Sequence, residues 1–300
     1  MSPQSIILAG AGHVHAALLP QVRRWVAAGH PVTLLAPEAF SYSGMGTGVL
    51  AGQYSPAANR LDVHAAFARA GAVAHRCRVE RVDPGRNIVF TDDGCEHPYD
   101  WLSLNLGSRV PVEAIADPNG RLVPAKPVNR LADLARALRA LQVPVLPAKA
   151  EQVTAETVLL ANGQAVPAGM AVVAALGVRP VVPAGLPEAP QGGVPVTETL
   201  QVASHPAVFA VGDGAAWDPP LDRVGVHAVR QTPVLAANLS ASLDGRPLRP
   251  FRPQRHYLQI LNLSDGTGLL AWRGVVIRSR WALWLKDRLD RGFMERLKSR

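Results

Sequence analysis

Two glycine turns, each closing a short apolar run, constrain what this chain can fold into more than any other feature. Near the N-terminus SIILAGAGHVHAALL breaks after Ala9 into Gly10-Ala11-Gly12 and continues as an alanine-rich stretch. About two hundred residues later HPAVFAVGDGAAW closes on Gly212-Asp213. A strand that breaks on Gly-x-Gly and runs directly into a helix is suited to a pyrophosphate. The first glycine permits the tight turn, the second lets the phosphate approach the backbone, and the helix N-terminus supplies N–H groups and partial positive charge. The third glycine of such a motif is replaced by His15, which must face outward or pack beside the strand. At the end of the second strand stands Ala36, with Glu38 two residues on, so a ribose there falls to the backbone or to Glu38.

Asp213 closes the second apolar run ahead of a small-residue helix start. A carboxylate there can accept hydrogen bonds from the hydroxyls of a ribityl chain, while Gly212 and Gly214 allow close approach. Alone a Gly-Asp pair also makes ordinary turns; paired with Gly10 and Gly12 in this order it points to bound FAD. His13 and His15 form a His-x-His, but inside the turn they point to different sides and no third ligand is near in sequence, so no metal is expected. No His-Glu-x-x-His or Gly-x-Ser-x-Gly occurs, which leaves hydrolase readings without support.

The surrounding pattern reads as α/β. Ser5–Ala9 and Pro31–Leu35 are strands, with a helix over Val14–Ala28 broken near Pro20. The stretch 40–56 is glycine-rich and nearly uncharged, suited to a loop against a flat ligand. Leu61–Gly71 reads as a helix, the stretch 77–94 as two strands around Asp83-Pro84-Gly85-Arg86, and Tyr99–Gly107 as a buried parallel strand. Leu131, Leu134, Ala135, Leu138 and Leu141 mark a helix over Asn129–Gln142. Short strands and an Asn162-Gly163 hairpin fill 143–185. Val224–Leu243 reads as a helix, 255–277 as strands, and Ser279–Leu297 as a final helix.

Three hundred residues with 48% hydrophobic and 18% charged composition suit one two-lobed domain or two closely joined ones. Apolar runs stay under ten residues, so no segment spans a bilayer. The first apolar run leads straight into the glycine turn and reads as a strand, not a signal peptide. Cytoplasmic residence is the default expectation. Cys77 and Cys95 make no metal or redox motif; two buried thiols flanking a hairpin are favoured over a disulfide. Residues 273–300 hold nine Lys/Arg against three acidic residues, which places +6 of the net +8 in the tail. That asymmetry favours an anionic surface at the C-terminus and speaks against nucleic acid. In the last helix Trp281, Leu285, Leu289, Phe293 and Leu297 recur at i+4, with Trp284 beside them and cations between. Such a helix either lies in the interface of an anionic membrane, on its inner face, or packs on the body or a second subunit; the charge favours the membrane.

These segments together resemble the pyridine-nucleotide/FAD oxidoreductase superfamily, and more narrowly type II NADH dehydrogenase-like flavoproteins of the selenophosphate synthetase-associated branch. The resemblance runs through GAGHVHAALL, VTLLAP, YSGMGTGVLAGQY, YDWLSLNLGS, TETLQVASHPAVFAVGDGAAW, VGVHAVRQTPVLAANLSASLDG and WLKDRLDRGFMERL. It implies that Gly10, Gly12 and His13 lie at the FAD pyrophosphate, and Ser43 and Gly44 near the flavin ring. Asn105, Gly107 and Ser108 would follow the strand beside the adenine end, Gly212 and Asp213 would hold the ribityl chain, and Gln231 and Thr232 would approach the flavin edge. Lys126-Pro127 resembles the Lys-Pro that precedes the family's second domain; a lysine there either stabilises an anionic reduced ring or makes a surface salt bridge.

One departure is large. The family inserts a complete nicotinamide-binding domain after the helix at 129–142, whereas no Gly-x-Gly-x-x-Gly occurs from Lys126 to Gly212. The expected organisation is a Rossmann-like three-layer FAD-binding fold in two parts, 1–128 and 196–250. Residues 129–195 are expected to be a remnant of the nicotinamide-binding domain, and 251–300 to supply C-terminal strands and a basic amphipathic helix. The expected activity is flavin-dependent electron transfer to a quinone by family analogy, with the nicotinamide site missing and the donor and oligomeric state open. The rival is a flavin- or partner-binding protein without turnover.

Overall fold

The computed structural model describes residues 2–50, 52–111, 122–124, 150–154, 156–160, 162–167, 172–174, 178–263 and 265–299. Lys126 and the helix expected at 129–142 lie outside the described residues.

A six-stranded sheet carries the molecule, in the order Gln201–Val202, His205–Ala210, Trp101–Leu104, Ile6–Ala9, Val32–Leu35, Val73–His75. All neighbours are parallel except the first pair, which is antiparallel. Side chains alternate across a strand, and here both faces are covered. Ile6 and Leu8 enter one core with Leu19, Val22, Trp25, Phe67, Leu235 and Leu239. Ile7 and Ala9 enter a second core with Val82, Val89, Leu102, Leu104 and Val208. Two-sided burial explains why these strands read as continuous apolar runs. Helices His13–Ala17, Leu19–Ala27, Val63–Arg69 and Gly225–Leu243 supply the first layer. The antiparallel strands Val79–Asp83, Ile88–Thr91 and Glu96–Pro98 supply the second.

The break expected near Pro20 falls at Leu18, and Pro20 sits in the first turn of the second helix, where its missing N–H is not required. The hairpin at Asn162-Gly163 joins Thr157–Leu160 to Ala165–Pro167. Of the two cysteines only Cys77 is buried, and burial raises its thiol to about 11; Cys95 is exposed, contrary to expectation, on the turn ahead of Glu96–Pro98.

From Gln259 on, the described residues form an antiparallel sheet, Gln259–Asn262, Gly268–Trp272 and Val275–Ser279, followed by helix Arg280–Lys298. Ser279 caps this helix, its Oγ accepting from Ala282 N–H at 3.0 Å. The face turned inward carries a charged pair among apolar residues. Ala282, Lys286, Asp290, Met294 and Leu297 are buried, while Phe293 stacks on Tyr42 at 4.6 Å. Trp281, Trp284 and Leu289 are each more than half exposed. The five-residue i+4 stripe therefore splits: its C-terminal end packs on the body and Trp281 and Leu289 face out. A strict i+4 row winds around a helix of 3.6 residues per turn, so one row cannot stay on one face for five steps.

Candidate functional site

The chain leaves the central strand Ile6–Ala9 toward Val32–Leu35 on one side, while Trp101–Leu104 flanks it on the other. That reversal opens a crevice at the carboxyl ends of the strands, where open α/β sheets bind ligands. A cleft of about 430 Å³ lies there. Its walls follow the strand order. Pro37 and Glu38 continue from Val32–Leu35, Gly10–His13 from Ile6–Ala9, Asn105–Arg109 from Trp101–Leu104, and Gly212–Asp213 from His205–Ala210.

The glycine turn is built around Asn105. Gly10 has φ +86°, and a Cβ there would fall 2.5 Å from the Asn105 carbonyl oxygen; at Gly12 a Cβ would fall 2.3 Å from Asn105 Oδ1. That buried amide accepts from the N–H groups of Val14 and His15 at 3.1 and 3.3 Å and donates to Val211 O at 3.2 Å. One side chain thus ties the turn, its own strand end and the strand that leads to Asp213. The N–H groups of Ala11 and Gly12 take no partner among the described residues, and both residues line the cleft.

His15 packs beside the strand. It is fully buried, Nδ1 2.7 Å from Gly10 O and Nε2 2.8 Å from Ser103 Oγ. Burial lowers its pKa to about 4, against the smaller opposing effect of the Gly10 carbonyl, so the ring is neutral at pH 7. His13 points the other way, into the cleft wall, with Nε2 3.2 Å from Ser43 Oγ. At the far end Ser108 Oγ donates to Asp213 Oδ2 at 2.6 Å, orienting the carboxylate. Gly212 N–H donates to the buried Gln231 amide oxygen at 2.7 Å. Glu38 lies on the cleft 3.6 Å from Arg78.

Of the residues singled out in the sequence, Gly10, Gly12, His13, Ser43, Asn105, Gly107, Ser108, Gly212 and Asp213 meet in this one cleft. Gly44, Gln231 and Thr232 do not line it. Gly44 accepts a bond from Lys286, Gln231 supports the Gly212 turn from beneath, and Thr232 Oγ1 turns back to Ala228 O at 3.4 Å. The sequence reading missed the cationic rim, Arg78 and Arg109, and the buried pair Lys286–Asp290. Only the second had a signal, an opposite-charge i,i+4 spacing in phase with Ala282, Met294 and Leu297.

No family model matches the chain, and no curated protein matches it either. Solved structures do. The sulfide:quinone oxidoreductase from Aquifex aeolicus superposes with a TM-score of 0.78 at 12% identity, covering 99% of this chain and 92% of that one. A ferredoxin reductase from Rhodopseudomonas palustris gives 0.66 at 17% identity over 92% of this chain and 90% of its own. The water-forming NADH oxidase from Lactobacillus brevis gives 0.71 at 16% over 90% and 75%. The chain shares their fold, a Rossmann-like α/β architecture.

Proposed function

We propose that this chain is an FAD-dependent oxidoreductase that passes electrons to a quinone or another redox partner. The observation that carries the reading is the single cleft joining the Gly10–Gly12 turn to Asp213 across the carboxyl ends of the strands. Its residues fit the cofactor. The turn offers the N–H groups of Ala11 and Gly12 beside a helix N-terminus to a pyrophosphate. Asp213, fixed by Ser108, offers carboxylate oxygens to a polyol. Glu38 stands at the end where a ribose would lie. FAD, when bound, supplies the electron-accepting ring.

The chain's own groups hold and orient. Asn105 and Gln231 lock the two turns, so Gly12 and Gly212 stay in register across the cleft. His15, neutral and buried, adds no charge beneath the phosphate turn. The division 1–128, 129–195, 196–250 and 251–300 goes with this reading, as does the absence of a second glycine motif between Lys126 and Gly212. Without a phosphate cradle the nicotinamide is not held over the ring and the proximity advantage is lost.

Partner choice rests on the C-terminal unit. Trp272, Val275, Val276, Ile277, Trp281, Trp284 and Leu289 are exposed on it, interleaved with Arg273, Arg278, Arg280 and Arg288. Aromatic residues among cations suit the interface of an anionic bilayer. No described helix is long and apolar enough to cross a membrane, so attachment would be peripheral, on the inner face.

The visible spectrum of the purified protein, before and after anaerobic NADH, tests the reading. Flavin bands that NADH bleaches slowly or not at all, and a reduced redox partner bleaches fast, are expected. A colourless protein that takes up no FAD refutes it. A flavin inert to every donor favours a flavin-binding protein without turnover.

A further inference from the structure

Behind the cleft wall lies a buried charged cluster that no step above uses. Lys286 and Asp290 stand one turn apart on helix Arg280–Lys298, 8% and 4% exposed, with Nζ 2.8 Å from Oδ2. Lys286 Nζ also donates to the Gly44 carbonyl at 2.6 Å, and the Tyr42 hydroxyl donates to Asp290 Oδ1 at 3.2 Å. These bonds grip the segment Tyr42–Gly44 from behind. In front, the Tyr42 ring meets His13 at 5.5 Å, Phe293 meets both rings, and Ser43 Oγ lies 3.2 Å from His13 Nε2. His13 and Ser43 line the cleft. An unbroken series of contacts therefore runs from the last helix of the chain to the site.

A buried ion pair adds little net stability, because desolvation offsets the attraction and apolar replacements are often as stable. The cost is visible here: burial raises the Asp290 carboxyl above its usual range, against the opposing pull of Lys286 and Tyr42. Other charges face the pair only from its rim. Asp287 accepts from Tyr54 and Arg291, and Arg296 lies near Tyr42. What distinguishes the pair is what it holds. An apolar side chain in place of Lys286 could fill the space, but it could not donate to the Gly44 carbonyl.

We infer that Lys286 and Asp290 are positioning residues of the cofactor cleft: through Gly44 and Tyr42 they place Ser43 and His13, which makes the C-terminal helix a supporting wall of the site. The inference rests on the proposed FAD reading and deepens it. A segment whose composition marks it as a surface anchor is at the same time part of the binding site.

The test uses the full-length chain with Lys286 and Asp290 replaced together, Lys286→Met and Asp290→Leu, so that no buried charge is left unpaired. Flavin-free protein is titrated with FAD while hydrogen exchange is followed at residues 42–45. The Kd for FAD is expected to rise at least tenfold and exchange at 42–45 to accelerate. Arg291→Gln, on the exposed side of the same helix, should change neither. Tyr42→Phe removes one hydroxyl and leaves the ion pair, so it remains informative if the double variant does not fold; a Kd raised about threefold is expected. Wild-type affinity and exchange in the double variant, or in Tyr42→Phe when the double variant is unfolded, overturn the inference. Wild-type protein that takes up no FAD overturns the functional reading and this inference with it. Normal uptake by every variant overturns the inference alone.

Discussion

The carboxyl edge of the sheet and the C-terminal unit use the same residue classes in opposite ways. At the edge, apolar side chains are inside and the two buried polar side chains around the glycine turn are paired: Asn105 with Val14, His15 and Val211, His15 with Gly10 and Ser103. In the C-terminal unit a lysine and an aspartate are inside, while Trp281, Trp284, Val275 and Val276 are outside. Strand faces are dictated by local alternation and the cover on both sides. The facing of a terminal helix is dictated by what it docks on. Here it docks on the backbone carbonyl of Gly44 and the hydroxyls of Tyr42 and Tyr54, and these attract charge, not leucine.

The largest effect expected is at the glycine turn. In Gly12→Val the new side chain meets the Asn105 amide before it meets any ligand. FAD affinity should fall at least a hundredfold, with about 3 kcal/mol or more lost in stability by overpacking. Adding Asn105→Ala tells the two losses apart. If it restores part of the stability and none of the affinity, the turn is both a packed joint and a phosphate site. Full recovery of both in the double variant would reduce the turn to packing.

Next comes pH, which acts on the edge through His15. Unfolded, its ring takes a proton near 6.5; folded, only near 4. The unfolded state binds more protons in that window, so this contribution is complete above pH 6.5 and is lost as pH falls toward 4. It amounts to about 3 kcal/mol in full. Denaturant midpoints measured from pH 7 down to pH 4.5 should decline, and the decline should flatten in His15→Gln. Equal slopes in the two proteins would place the pH sensitivity elsewhere.

Smaller and opposite in kind is the effect at the exposed face of the last helix. Trp281→Ala with Trp284→Ala should weaken co-sedimentation with anionic vesicles about tenfold and change unfolding by about 0.5 kcal/mol or less. Binding of the unchanged chain should fall with added salt. Undiminished vesicle binding by the double variant would shift the contact to the exposed strand Val275–Ser279, and an unchanged chain that binds no vesicles would abolish the membrane reading. The smallest effect is expected at Arg291, whose guanidinium lies 2.8 Å from Asp287 on an exposed surface. Arg291→Ala should cost less than about 1 kcal/mol; a larger loss would mean that the rim of the buried pair carries more of the docking than its exposure suggests.

Much of the edge was legible in the sequence. Continuous apolar runs gave the parallel strands, Gly10-Ala11-Gly12 gave the turn, and the order of the two motifs gave the cleft. Asn105 was singled out only through the family resemblance, and its role as a clamp was not legible, since the partners stand about 90 and 106 residues away in the chain. On the last helix the apolar stripe faces out at Trp281 and Leu289 and drifts inward by Leu297, but the inward placing of Lys286 and Asp290 was not legible, since their partners Gly44 and Tyr42 stand about 240 residues away in the chain. Gln231 and Thr232 lie on the helix expected for them, yet one supports a turn and the other bonds its own backbone, a choice made by the rotation of the helix.

The sequence by itself determined the strands, their burial on both faces, the glycine turn and the carboxylate that answers it. These follow from short-range rules: side-chain period, turn chemistry and helix start. Only the tertiary structure decided which polar groups serve the cleft and which serve the fold. It put Asn105 beneath the turn and His15 beside the strand, and it drew Lys286 and Asp290 inward to meet Gly44 and Tyr42. The physical reason is that a buried polar group must find a partner, and that partner is fixed by the packing of distant segments, not by its neighbours in the chain.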